Sequence, residues 1–146
     1  MFNLDDNYEI IKVNTIDVVN NIQNTEIRPS IVHGNGLFSL TEIKENTTLT
    51  YLTGQILPSS FVKKYDTPTR EWNAIHENFF LYRFARTKYG FINHSRDKHN
   101  CEVSFSYPIV SLIASKDIKN GDEILLDYRK EAFPDWYLEG HGASYL

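Results

Sequence analysis

The chain has 146 residues, 41% of them hydrophobic and 14% aromatic, with a formal net charge of −4. That length closes one core and not two, and the acidic balance argues against the basic footprint of a nucleic-acid binder. The single cysteine, Cys101, excludes an internal disulfide and a multi-cysteine zinc cluster, and no apolar run reaches the ~20 residues that span a bilayer.

The opening stretch, Met1 to Tyr8, is acidic and poor in apolar residues, unlike a secretory signal. The expectation is an intracellular, cytoplasmic protein without a membrane partner, with delivery to a host or nucleus left open.

Short segments rich in β-branched and aromatic residues then recur between turn signals, which predicts a mostly β protein. The expected strands are Tyr8–Val13, Thr25–Val32, Leu37–Leu40, Thr47–Leu52 and Gln55–Leu57. Further strands are expected at Phe79–Phe84, Tyr89–Ile92, Cys101–Tyr107, Val110–Lys116 and Glu123–Asp127. Turn chemistry separates them at His33-Gly34-Asn35-Gly36, Thr53-Gly54 and Lys119-Asn120-Gly121-Asp122. Ser59 to Tyr65 is expected to form a helical turn or two. A second helix is expected from Pro68 to Asn78, capped by Thr67 with Glu71 behind it. Glu131 to Leu138 is expected to hold a short helix interrupted by Pro134.

Three segments carry chemistry. Gly34-Asn35-Gly36 either lets backbone approach a ligand or forms a tight hairpin, since Asn-Gly is a strong turn pair. Asn93-His94-Ser95 lies in apolar sequence, where polar groups need partners. Asn93 offers donor and acceptor groups suited to an amino acid's ends or an adenine edge, or to nearby backbone in a polar turn. Gly121-Asp122-Glu123 through Asp127-Tyr128 reads as a hairpin strand ending on an acidic-aromatic pair. His94, His99 and Cys101 are close in sequence, but no paired element completes a zinc set, so no metal site is expected.

In this order the segments resemble the SET domain. The carrying stretches are Gly34-Asn35-Gly36-Leu37-Phe38, Ile43-Lys44-Glu45-Asn46, Tyr51-Leu52-Thr53-Gly54, Phe91-Ile92-Asn93-His94-Ser95 and Gly121-Asp122-Glu123 through Asp127-Tyr128. The likeness spans roughly Glu26 to Tyr137 and is nearer to the small viral and bacterial members than to the large chromatin enzymes. Arg96-Asp97-Lys98-His99 stands where many members carry Cys-x-Pro, and Asn46 stands where a glycine is usual.

The resemblance implies a β-clip fold of small sheets with a knot-like C-terminal crossing. It divides the chain into an N-terminal strand segment (1–25), the SET body (26–130) and an aromatic tail closing the active site (131–146). It implies a protein lysine methyltransferase using S-adenosylmethionine. Gly34, Asn35, Gly36, Asn93, His94, Tyr128 and Trp136 would then hold the cofactor. Tyr128 would sit at the reacting centre with Tyr51 as a further pocket residue. Val103, Leu126 and Tyr137 would line the lysine channel, and aliphatic Val103 and Leu126 would leave room for di- or trimethylation. The expected partner is a protein or peptide carrying lysine, such as a histone, with a homodimer left open. The rival readings are a SET fold without turnover that serves as a binding module, and an unrelated small β-domain.

Overall fold

The computed structural model describes residues 9–65 and 70–146. Twelve strands and two short α-helices appear among them. A first hairpin pairs β1 (Ile10–Val13) with β2 (Ile16–Val19) antiparallel, turning at Asn14, whose φ is 55°.

The largest sheet contains β3 (Thr25–Pro29), β4 (Asn35–Ser39), β5 (Thr48–Leu52), β9 (Asn93–His94), β10 (Cys101–Ser106), β11 (Ile109–Ala114) and β12 (Glu123–Leu126). Its order is β3-β4-β12-β10-β11-β5, with β9 also pairing β12. A separate sheet, ordered β6-β8-β7, is formed by β6 (Gln55–Pro58), β7 (Glu71–His76) and β8 (Phe79–Arg83), with α1 (Ser59–Tyr65) between β6 and β7.

The crossing that matters for the site is at β12. It runs antiparallel to β4 but parallel to both β9 and β10, with Leu125 opposite Asn93 and Leu126 opposite His94. The chain leaves β10 by a hairpin to β11 on its far edge and returns as β12 on its near edge, which is how β12 comes to run parallel to β10. The face beneath is apolar: Ile22, Leu37, Ile92, Cys101, Leu112, Ile124 and Leu126 form one buried cluster. Burial pushes the Cys101 thiol up to about 12, which leaves it protonated and inert.

Most expected strands are present within a residue or two, and α1 occupies the expected span. Asn46 takes a left-handed φ of 67°, the conformation for which it can replace glycine. Two expectations fail. The helix expected to Asn78 is a strand from Glu71 to His76, paired with β8 around a Glu77-Asn78 turn. Trp72 stacks on Phe80 at 4.7 Å, so tertiary pairing outweighs the start signal, whose Thr67 and Pro68 lie outside the described residues. The strand expected at Tyr89–Ile92 is instead a 3₁₀ turn over Lys88–Phe91. Lys88 is buried there and its Nζ donates to the carbonyls of Ile22 and Thr25, which curls the chain away from a ladder. The tail helix α2 (Asp135–Glu139) begins just after Pro134, which caps it rather than interrupting it.

Candidate active site

Register places Asn93 and His94 beside the end of β12, and side chains then lock the arrangement. The Asn93 amide donates to the His33 carbonyl (2.9 Å), the Asn35 carbonyl (3.2 Å) and Glu123 Oε1 (3.0 Å). Ser30 Oγ donates to the same Glu123 carboxylate at 2.8 Å. A Cβ at Gly36 would meet Glu123 Oε1, so the second glycine of Gly-x-Gly leaves room for this carboxylate where it stands. Asn93 thus spends its donors on the Gly-x-Gly loop and leaves its carbonyl oxygen for other use.

His94 Nδ1 accepts the backbone N–H of Tyr128 at 3.0 Å. An accepting Nδ1 requires the proton on Nε2 and a neutral ring. Burial holds His94 below its ordinary value, against the pull of Asp127 3.9 Å away. The rings of His94 and Tyr128 lie 5.1 Å apart. The Tyr128 hydroxyl donates to the Ile92 carbonyl, and burial raises its pKa, so it stays a phenol.

The loop before β10 is tied to β12 through Asn100, whose side chain donates to the Glu123 carbonyl and accepts from Leu125 N–H.

Tyr128 stands between two cavities. One, of about 570 Å³, is lined by Val32, His33, Asn93, His94, Tyr128 and Tyr145. The other, of about 220 Å³, includes Glu71, Tyr89, Tyr128, Glu131, Tyr137 and Tyr145 in its wall. A third, of about 100 Å³, contains Val103, Leu126 and again Glu131.

Residues 34–129 match the family model of the SET domain. The chain belongs to the SET domain family. That family consists generally of S-adenosylmethionine-dependent lysine methyltransferases. No curated protein matches the chain.

Against this SET frame, the sequence-predicted residues divide. Asn93, His94 and Tyr128 line one cavity together, while Val103 and Leu126 share the smallest. Tyr137 walls the intermediate one. Gly34, Asn35 and Gly36 are not in that cavity's lining, to which the same segment contributes Val32 and His33.

Tyr51 is separated from the group. It is 65% exposed and borders a different cavity with Pro108 and Ile109, because strand alternation turns its neighbour Leu52 inward. Trp136 is separated too. It packs against Phe80, with Lys63 Nζ 5.6 Å from its ring, and its place in the cavity wall is taken by Tyr145.

Tyr145 carried no motif signal. The tail is pinned by its hydroxyl contact with Tyr137 and by Arg96 donating to the Leu146 carbonyl. Glu123 and Glu131 were also missed as site residues. Their signal, a carboxylate set against a glycine or among tyrosines, appears only after folding.

Proposed function

We propose that the chain transfers methyl groups from S-adenosylmethionine to the ε-amine of lysine in a basic protein, a histone or one like it. The observation that carries this is Tyr128 standing as the shared wall of two cavities, one polar-ended and amphipathic, the other lined by tyrosines.

The larger cavity fits the cofactor. Its volume falls in the ~300–1,000 Å³ range of small-ligand sites. Its lining mixes the apolar faces of Val32, Tyr128 and Tyr145 with Asn93 and His94, as a zwitterionic nucleoside requires. When bound, S-adenosylmethionine supplies an electrophilic methyl group on a positive sulfur.

The chain's contribution is alignment and exclusion of water. Asn93 and Glu123 fix the loop, the neutral His94 ring holds the Tyr128 backbone, and the Tyr128 phenol presents oxygen without ionising. Such an oxygen orients an amine and makes weak contacts to a polarised methyl.

Calorimetry with S-adenosylmethionine and transfer of labelled methyl to a mixed protein extract test the reading. Tyr128→Phe is expected to keep cofactor affinity and to lower transfer about ten-fold or more, ~1.4 kcal/mol of barrier. No binding by the unaltered protein rejects the proposal, and undiminished turnover in the variant removes Tyr128 from the reacting centre.

A further inference from the structure

A carboxyl group stands behind Tyr128. Glu131 follows the 3₁₀ turn Tyr128–Lys130 and lies in the walls of both smaller cavities. Carboxylates are seldom placed among aromatic rings unless something cationic offsets the cost of desolvation.

The surroundings of Glu131 are ordered by a chain of donors. Arg83 donates through both terminal nitrogens to Asn73 Oδ1 at 2.9 Å, which forces the Asn73 amide nitrogen outward. That nitrogen donates to the Tyr89 hydroxyl at 2.7 Å, so Tyr89 must donate onward to Glu131 Oε1, 3.2 Å away. Arg83 is itself occupied by Glu71 at 2.8 Å and is not a free counter-ion for Glu131. Tyr128, Tyr137 and Tyr145 line the same cavity as the carboxyl. Arg70, Arg86 and Glu71 line the same cavity farther round. Cys101, Glu102, Asp127 and Lys130 border the cavity on the other side, where Lys130 pairs with Glu102 at 2.9 Å and Asp127 with Arg129 at 2.7 Å. Glu71, Glu102 and Asp127 are thus each paired with a cation, Arg70 and Arg86 lie over the rings of Phe84 and Phe91, and Glu131 shares its cavity with tyrosine hydroxyls and π-faces, the surroundings that attract an alkylammonium ion.

We infer that Glu131 binds the target amine as its ammonium ion and accepts the proton that the amine must lose before methyl transfer. This rests on the lysine methyltransferase reading above. In the step, an N–H bond of R–NH3+ breaks and an O–H bond forms on Glu131, leaving R–NH2 and a neutral carboxyl. The freed lone pair then forms the N–C bond while the C–S bond breaks, its electrons staying on sulfur. Glu131 returns its proton to solvent before the next turnover. Burial pushes the Glu131 carboxyl up to about 7, above its ordinary range, which suits a base working near neutrality.

The test uses the full chain and butylamine as a probe of the lysine side chain. The carboxyl resonance of Glu131, assigned by its loss in Glu131→Gln, is followed through a pH titration by carbon NMR. Butylammonium is expected to lower the titration midpoint by about one unit, as an apposed positive charge favours the carboxylate. In a transfer assay on a lysine-bearing peptide, Glu131→Gln keeps the hydrogen bond from Tyr89. It is expected to cut kcat about ten-fold near pH 7 and to recover towards the unaltered rate near about pH 9.5, where solvent takes the proton. S-adenosylmethionine affinity should be unchanged. A Glu131 titration indifferent to butylamine overturns the inference irrespective of turnover, and so does a variant with the parent's pH profile. Failure of the unaltered protein to bind cofactor instead rejects the methyltransferase reading, a separate result.

Discussion

The two larger cavities that meet at Tyr128 are held open by different means. On the Asn93 side part of the wall, Val32 and His33, belongs to a loop whose backbone is held from behind by side chains: Asn93 and Ser30 on Glu123, and the carbonyls of His33 and Asn35 on Asn93. On the Glu131 side it is side chains held by other side chains, from Glu71 through Arg83, Asn73 and Tyr89 to Glu131. Backbone walls suit a ligand recognised along its length. A braced ring of side chains suits a small charged head, whose position must be fixed within tenths of an ångström. The difference gives each side its own way to fail.

The braced side should fail hardest. Glu71 accepts from Arg83 Nε, Thr87 N–H and Thr87 Oγ1, all within 2.8 Å, and presses against Gly90 so closely that a Cβ there would clash. Glu71→Ala leaves Arg83 buried without its ion, a loss of about 3–5 kcal/mol. Urea denaturation should show it as a large drop in midpoint. A midpoint close to that of the parent would mean that the network carries no stability.

The backbone-walled side should fail more locally. Asn93→Ala strands two loop carbonyls and removes one donor from Glu123, at about 1–3 kcal/mol. The loss should appear chiefly as weaker S-adenosylmethionine binding in calorimetry, since the loop stays covalently anchored by β3 and β4. Full affinity in this variant would place the cofactor elsewhere.

A smaller effect separates the two sides by sign. His94 is held below its ordinary value of 6.5, so its contribution is present above that pH and lost as pH falls through its folded value. Glu131 is raised to about 7, so its contribution is present below its unfolded value of 4.5 and lost as pH rises through about 7. Denaturation midpoints measured across that range should change slope in opposite directions for His94→Gln and Glu131→Gln. Parallel changes would show that the two groups share one environment.

The same asymmetry explains what sequence reveals. The Asn93 side is made of contiguous motifs, Gly34-Asn35-Gly36 and Asn93-His94-Ser95, whose residue types betray tight turns and buried polar groups before any fold is known. The Glu131 side draws Glu71 and Asn73 from β7, Arg83 from β8, Tyr89 from the 3₁₀ turn and Glu131 from the end of the turn at Tyr128–Lys130, each ordinary where it stands in the chain. Burial of Glu71 and Asn73 depends on β7 being a strand, which the helix expected over that stretch concealed. Tyr51 lies apart from the residues around Tyr128, and nothing in Tyr51-Leu52-Thr53-Gly54 says which of two adjacent side chains faces inward until β5 pairs with β11. Strand positions elsewhere were legible because β-branched residues and turn glycines mark them locally. The tail was half legible: its aromatics announced a wall, but which of Trp136, Tyr137 and Tyr145 reaches the cavity beside Asn93 depends on the helix α2 and on Arg96 catching the last carbonyl.

The smallest change should be felt where the sides join, in how many methyl groups are added. Leu126 is buried in the main cluster, and it shares with half-buried Val103 the cavity that also reaches Glu131. Neither side chain can hydrogen-bond an amine or hold a water beside it, so neither restrains a methylated nitrogen from turning its lone pair towards sulfur. The free space there is only about 100 Å³, roughly the room of three water molecules at ~30 Å³ each. A methyl group fits such a space, and the unaltered protein is therefore expected to reach di- or trimethyllysine. Leu126→Tyr fills the space and adds a hydroxyl. Mass spectrometry of a lysine-bearing peptide should show the product moving towards monomethyllysine, with the first transfer slowed less than the second. Overpacking in the cluster should also cost ~1–3 kcal/mol, which a parallel denaturation curve separates from the change in product. If the distribution stays that of the parent while the variant remains folded, Leu126 does not face the amine, and the channel wall must be sought on the Tyr137 side of Glu131.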